Sequence, residues 1–110
     1  MGRTHHNPAR RRVGYGSSIP KAAEERVRSR HPNGAISAAD YYVNSKLVGV
    51  RTFYENGQID LEEGVRDGLQ HGMEYHFEHD GTMIFAEPWG HGLIDGTAYQ
   101  WDASGRLIGT

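Results

Sequence analysis

The chain has no cysteine among its 110 residues, which removes disulfide scaffolds, thiolate zinc sites and thiol nucleophiles together. Long apolar runs are missing too. The N-terminus reads MGRTHHNPARRR, without the apolar stretch of a secretory signal, and no later segment suits a membrane-spanning helix. Myristoylation at Gly2 is excluded by His6, which stands where that pattern wants Ser or Thr. A soluble, cytoplasmic chain that is not transmembrane is therefore expected. Aliphatic and aromatic residues make up only 36%. That is too little for a large globular core, so the domain is expected to be thin or elongated.

Present instead are fifteen glycines, and their spacing carries the fold. Gly34, Gly57, Gly81 and Gly105 recur at intervals of 23, 24 and 24, each followed two residues later by Ile36, Ile59, Met83 or Leu107. A second series, Gly49, Gly72 and Gly96, follows the first by 15 residues each time. A fixed period of this kind is the mark of stacked supersecondary units.

Within the units the pattern is that of strands. Met73, Tyr75 and Phe77 alternate with Glu74, His76 and Glu78, so one face packs and the other meets water. Thr97, Tyr99 and Trp101 repeat the alternation, and Val50, Thr52 and Tyr54 do so less cleanly. Asn33-Gly34 and Asn56-Gly57 read as two-residue type I′ hairpins. Asp80-Gly81 and Ser104-Gly105 read as loops one residue longer, which accounts for the spacing of 24. Further turns are expected at Asn44-Ser45, Asp67-Gly68 and His91-Gly92.

The expected fold is all-β, an elongated antiparallel meander of tandem β-hairpin units over 27–49, 50–72, 73–96 and 97–110. The last is truncated, which leaves a strand edge open to β-addition. A basic leader, residues 1–26, precedes the units. It is expected to be disordered over 1–18, with room for a short helix near 19–26 capped by Ser18 and opened by Pro20. Residues 1–31 carry eight basic side chains against Glu24 and Glu25, and the remainder carries four bases and twelve acids. A basic tail beside an acidic body is the result.

Phe53-Tyr54-Glu55-Asn56-Gly57-Gln58-Ile59, followed by Asp67-Gly68-Leu69-Gln70-His71-Gly72, resembles the variant MORN repeat of bacterial YwqK-type antitoxins. Asn44 to Gly49 and His91 to Gly96 match its second part with substitutions, and the likeness covers about 27–110. It implies an elongated meander of hairpins and a toxin-neutralising, protein-binding role. Tyr99 to Leu107 is similar to a YD repeat, and Tyr75 to Met83 to a cell-wall choline- or glucan-binding repeat. Both families run nearer twenty residues per unit.

Candidate chemistry is sparse. Seven histidines invite a metal, above all His76 between Glu74 and Glu78. Alternate strand residues, however, lie about 6.5 Å apart, too far for adjacent ligands of one ion. The histidines also fail to recur, since His71 corresponds to Asp95 and His91 to Asp67. No nucleophile elbow or phosphate-binding loop occurs. No catalytic residue, metal ligand or cofactor is assigned. Trp89, between Pro88 and Gly90, is the preferred contact residue, and Arg10, Arg11 and Arg12 form a candidate anionic contact.

The reading is a non-catalytic module for protein–protein interaction, antitoxin-like by resemblance, whose partner the sequence does not identify. Two alternatives stand beside it. One is a binder of nucleic acid or acidic lipid through the leader. The other is a carbohydrate-binding aromatic array, which needs exposed rings at equivalent positions.

Overall fold

A computed structural model of the chain describes residues 14–110. The chain runs through β1 (Glu24–Arg30), β2 (Ile36–Val43), β3 (Lys46–Phe53), β4 (Ile59–Arg66), β5 (Leu69–Gln70), β6 (Gly72–Phe77), β7 (Met83–Gly90), β8 (Leu93–Ile94), β9 (Tyr99–Trp101) and β10 (Leu107–Gly109). All belong to one antiparallel sheet ordered β1-β2-β3-β4-β6-β7-β9-β10, with β5 paired to β4 and β8 to β7. The all-β meander read from the glycine period is the observed fold. No helix among the described residues is long and apolar enough to cross a membrane.

Two kinds of turn alternate along the sheet; the Gly81 and Gly105 tips are the expected loops with a left-handed glycine, whereas the Asn-Gly tips at Gly34 and Gly57 are not the expected type I′ turns. At Asn44-Ser45, Asp67-Gly68 and His91-Gly92 both residues have positive φ (50 and 66, 51 and 79, 50 and 82°), as type I′ turns require. At the four glycine tips only the glycine does, with φ of 90, 90, 91 and 89°. Each tip closes with one pair of bonds. At the second tip, for example, Gly57 N–H donates to Tyr54 O at 3.0 Å and Tyr54 N–H donates to Gln58 O at 2.8 Å. This is a type I turn completed by a left-handed glycine.

The Asn-Gly pairs are not I′ turns because the Asn side chain has another use. Asn33 Oδ1 accepts the Ala35 N–H and Asn56 Oδ1 the Gln58 N–H, both at 2.9 Å. Such a bond suits a third-position residue at negative φ. The Asn amides also tie neighbouring tips together: Asn33 Nδ2 donates to Glu55 O at 3.0 Å and Asn56 Nδ2 to His79 O at 2.9 Å.

Since all four tips are alike, the twenty-fourth residue lies elsewhere. On β2 and β3, Tyr42 faces Leu47 and Tyr41 faces Gly49, so one residue step answers two. On β4, Val65 faces Gln70 while Glu62 faces Tyr75, so three steps answer five. The extra residue is a wider bulge after the short strand β5, and the same holds after β8.

The leader also departs from expectation. Pro20 opens only one turn, closed by Ala23 N–H to Pro20 O at 3.0 Å, and the chain then enters β1 at Glu24, three residues before the first expected unit. A helix over 19–26 would be too short to outweigh its nucleation cost. The edge of β2 offers Glu24, Glu25 and Arg26 ladder partners in Tyr42, Tyr41 and Asp40. Residues 14–18, expected to be disordered, lie across the sheet. Residues 1–13, including Arg10, Arg11 and Arg12, fall outside the described part.

The core is one face of this sheet, in two clusters. Tyr75, Phe77, Met83, Ala86 and Trp101 form one. Ile19, Ala39 and Tyr41 form the other, and Ile19 comes from the leader.

Candidate functional site

Cross-strand pairing places Ala39 opposite Arg51, Arg51 opposite Glu62, Glu62 opposite Tyr75 and Tyr75 opposite Ala86. Directly opposed residues share a face, so the packed face carries an arginine and a glutamate in the middle of an apolar row. Arg51 Nε donates to Glu62 Oε1 at 2.8 Å, and its guanidinium lies 4.6 Å from the centroid of the Tyr41 ring. Glu62 is 0% exposed. A single-layer sheet cannot bury a carboxylate by itself, and the cover comes from residues 14–19, which cross the strands as a strap.

The strap is held mainly by its side chains. Tyr15 Oη donates to Glu62 Oε1 at 2.6 Å and Ser17 Oγ to Glu62 Oε2 at 2.8 Å. With Arg51, the buried carboxylate thus has three donors, as a charge removed from water needs. Between these two residues, the Tyr75 hydroxyl accepts Gly16 N–H at 3.0 Å and donates to Gly16 O at 3.1 Å. The Tyr15 ring meets Tyr75 and Phe77 edge-on, with centroids 5.0 and 5.4 Å apart.

Glycines make the floor on which the strap lies. A Cβ at Gly49 would overlap the Ile19 side chain, and one at Gly72 would overlap Ser18 Oγ. A Cβ at Gly64, which faces Gly49 across β3 and β4, would come within 3.0 Å of Ser18 Cβ and overlap the His71 carbonyl. Ser18 Oγ in turn accepts the Met73 N–H at 3.2 Å. Ile19 is 5% exposed, and burial of such a side chain is worth about 1.5–3 kcal/mol. Beside it a half-open hollow of about 320 Å³ lies between Tyr15, Ser17 and Pro20 on one side and Tyr41 and Arg51 on the other.

These contacts set the electrostatics. Burial pushes the Tyr15 hydroxyl above its ordinary range, and the bond to Glu62 adds to the shift. Burial and then the bond to Glu25 do the same for Tyr41, whose Oη donates to Glu25 Oε2 at 2.6 Å. Burial works against the charge on Arg51, but its bonds to Tyr41 and Glu62 outweigh this and raise it, so it stays a cation.

The residues expected to make contacts are not gathered here. Trp89 lies in β7, half-buried, and its indole N–H donates to Glu87 Oε1 at 3.1 Å. Its position is one step out of phase with Pro88, which faces Met73, so it belongs to the opposite face. His76 pairs with Glu74 at 2.6 Å, and His71 and His91 bring their rings to 5.1 Å. Among the described residues no group of three or more His, Cys, Asp or Glu is placed to hold a metal ion. At equivalent positions of successive units, Phe77 and Trp101 are 5% and 3% exposed, so neither ring offers a stacking surface.

On the outer face, partial burial first and the Glu74 charge second raise the Glu63 carboxyl, against an opposing effect of His76. A carboxyl raised by folding weakens the fold where it is ionised, and the penalty fades as pH falls through its folded value. Glu63→Gln is therefore expected to raise the urea midpoint at pH about 7, with the gain vanishing below pH about 4. An equal gain at both pH values would contradict this account.

The sequence reading missed Tyr15, Ser17, Ile19, Arg51 and Glu62. A signal was present for some of them. Gly49 and Gly72 recur for a reason beyond turns, and Gly64 is an extra glycine inside a strand, where a close backbone approach is the usual cause. Nothing in the local pattern marks residues 14–19 as partners of residues more than 40 positions away. Comparison with protein-family models, curated proteins and solved structures finds no match.

Proposed function

We propose that the chain is a non-catalytic module that binds other proteins through the packed face of its sheet. The observation that carries this reading is the strap: an extended stretch of polypeptide lies on that face, held through side chains over a glycine floor. A surface with that floor and a buried carboxylate is suited to grip extended chain. The toxin-neutralising role implied by the resemblance to MORN-type antitoxin repeats is one form of this activity. The sugar-binding alternative has less support, because Phe77 and Trp101, at equivalent positions, are buried.

The test is photo-crosslinking of the full chain, with the reactive group placed at Val48 on the strap side in one preparation and at Glu87 on the other face in another. A protein partner joined at the first position and spared at the second is the expected result. Recovery of nucleic acid or acidic lipid alone, lost steeply as salt rises, would favour the anionic-surface reading instead.

A further inference from the structure

The strap's hold on the sheet is of a kind that can be exchanged. Among the described residues no backbone–backbone hydrogen bond joins residues 14–19 to a strand, and residues 14–18 remain exposed on their outer side. The lack of a ladder and the exposed outer side place such a segment toward the low end of local stability. The floor beneath it, by contrast, is built in at a cost to the sheet, since a strand-interior glycine such as Gly49 is a destabilising choice.

We propose that the track formed by Gly49, Gly64 and Gly72, with Glu62 beside it, is a binding site for an extended segment of a protein partner, and that residues 14–19 occupy it in cis as an intramolecular competitor. This rests on the protein-binding reading above. The chemistry of the partner segment follows from that of the occupant. A phenol and an aliphatic hydroxyl two residues apart reach the same carboxylate, as Tyr15 and Ser17 do, because alternate residues of an extended chain project to one side. A glycine between them lets the backbone approach the Tyr75 hydroxyl. A second hydroxyl takes the Met73 N–H over Gly72, and a branched aliphatic covers Gly49.

A tethered competitor acts at millimolar effective concentration, so the partner's apparent affinity is reduced to the fraction of molecules whose track is open. The test uses a fluorescein-labelled peptide copying residues 13–20, titrated by anisotropy into the full chain. Tyr15→Phe/Ser17→Ala, which removes the two strap hydroxyls that reach Glu62, is expected to bind the peptide about tenfold or more tighter than the unmodified chain. Ile19→Ala is expected to act in the same direction. Adding Gly49→Ala, whose Cβ meets the aliphatic side chain in the track, is expected to abolish binding.

The track is also tested from the ligand side, with the protein untouched: peptides carrying phenylalanine for tyrosine and alanine for the first serine are expected to bind more weakly. Equal affinity for strap-weakened and unmodified chains, or no dependence on the peptide's hydroxyls, overturns the proposal. If that happens while a protein partner still crosslinks at Val48, the binding reading stands and only the cis-competition inference falls. If nothing crosslinks there yet the peptide behaves as expected, the track is real and the wider reading fails.

Discussion

Arg51→Met is expected to destabilise the chain by about 3–5 kcal/mol, because it leaves a buried carboxylate without its cation. Glu62 has no exposed surface, and the Tyr15 and Ser17 hydroxyls that remain beside it are neutral donors. The pair Arg51→Met/Glu62→Leu, which removes both charges, is expected to recover most of the loss, since a buried ion pair is often worth little more than apolar residues of similar volume. Urea denaturation of the two variants and the unmodified chain measures both effects. If Arg51→Met alone cost less than about 1 kcal/mol, Glu62 would be reached by water and the strap would not cover it in solution.

The second large effect is at Tyr75, which is 1% exposed and central to the larger apolar cluster. Tyr75→Ala is expected to cost about 3–5 kcal/mol through lost burial and the cavity left behind. Tyr75→Phe keeps the ring and removes only the hydroxyl that both donates to and accepts from Gly16, so a cost of about 0.5–1.5 kcal/mol per bond is expected. Hydrogen exchange separates the two. In Tyr75→Phe the Gly16 amide is expected to lose protection while the β6 and β7 amides keep theirs. Equal loss in the strap and the strands would mean that the strap is integral to the sheet and cannot open alone.

The parts that could be read in advance are those governed by local chemistry. A glycine with φ near 90° at each of four tips is a requirement that only a glycine meets without strain, so its period was visible as a period of letters. The alternation of Met73, Tyr75 and Phe77 likewise announced a strand with one packed face. Turn type was harder to read. Asn-Gly serves both I′ turns and type I turns followed by a left-handed glycine, and the choice at Asn56 went to the second, in which its side chain caps Gln58 and its amide reaches His79. The short helix failed for a similar reason. Ser18 and Pro20 are sound helix-opening residues, but Glu24 to Arg26 had an open strand edge beside them.

The candidate site was legible only in its floor. Gly49, Gly64 and Gly72 stood out as glycines, whereas Ser17, Ile19, Arg51 and Glu62 carried no mark that they would meet. Their meeting depends on where a leader crosses a sheet that does not exist until the strands have paired. Spacing, alternation and the residues that tolerate positive φ were enough to determine a meander of antiparallel strands, because each acts within a few residues of itself. Which face would be covered, by what, and which carboxylate would lose its water were decided only by the tertiary structure. Those outcomes are set by contacts between residues 45 to 59 positions apart, and no local preference can express them.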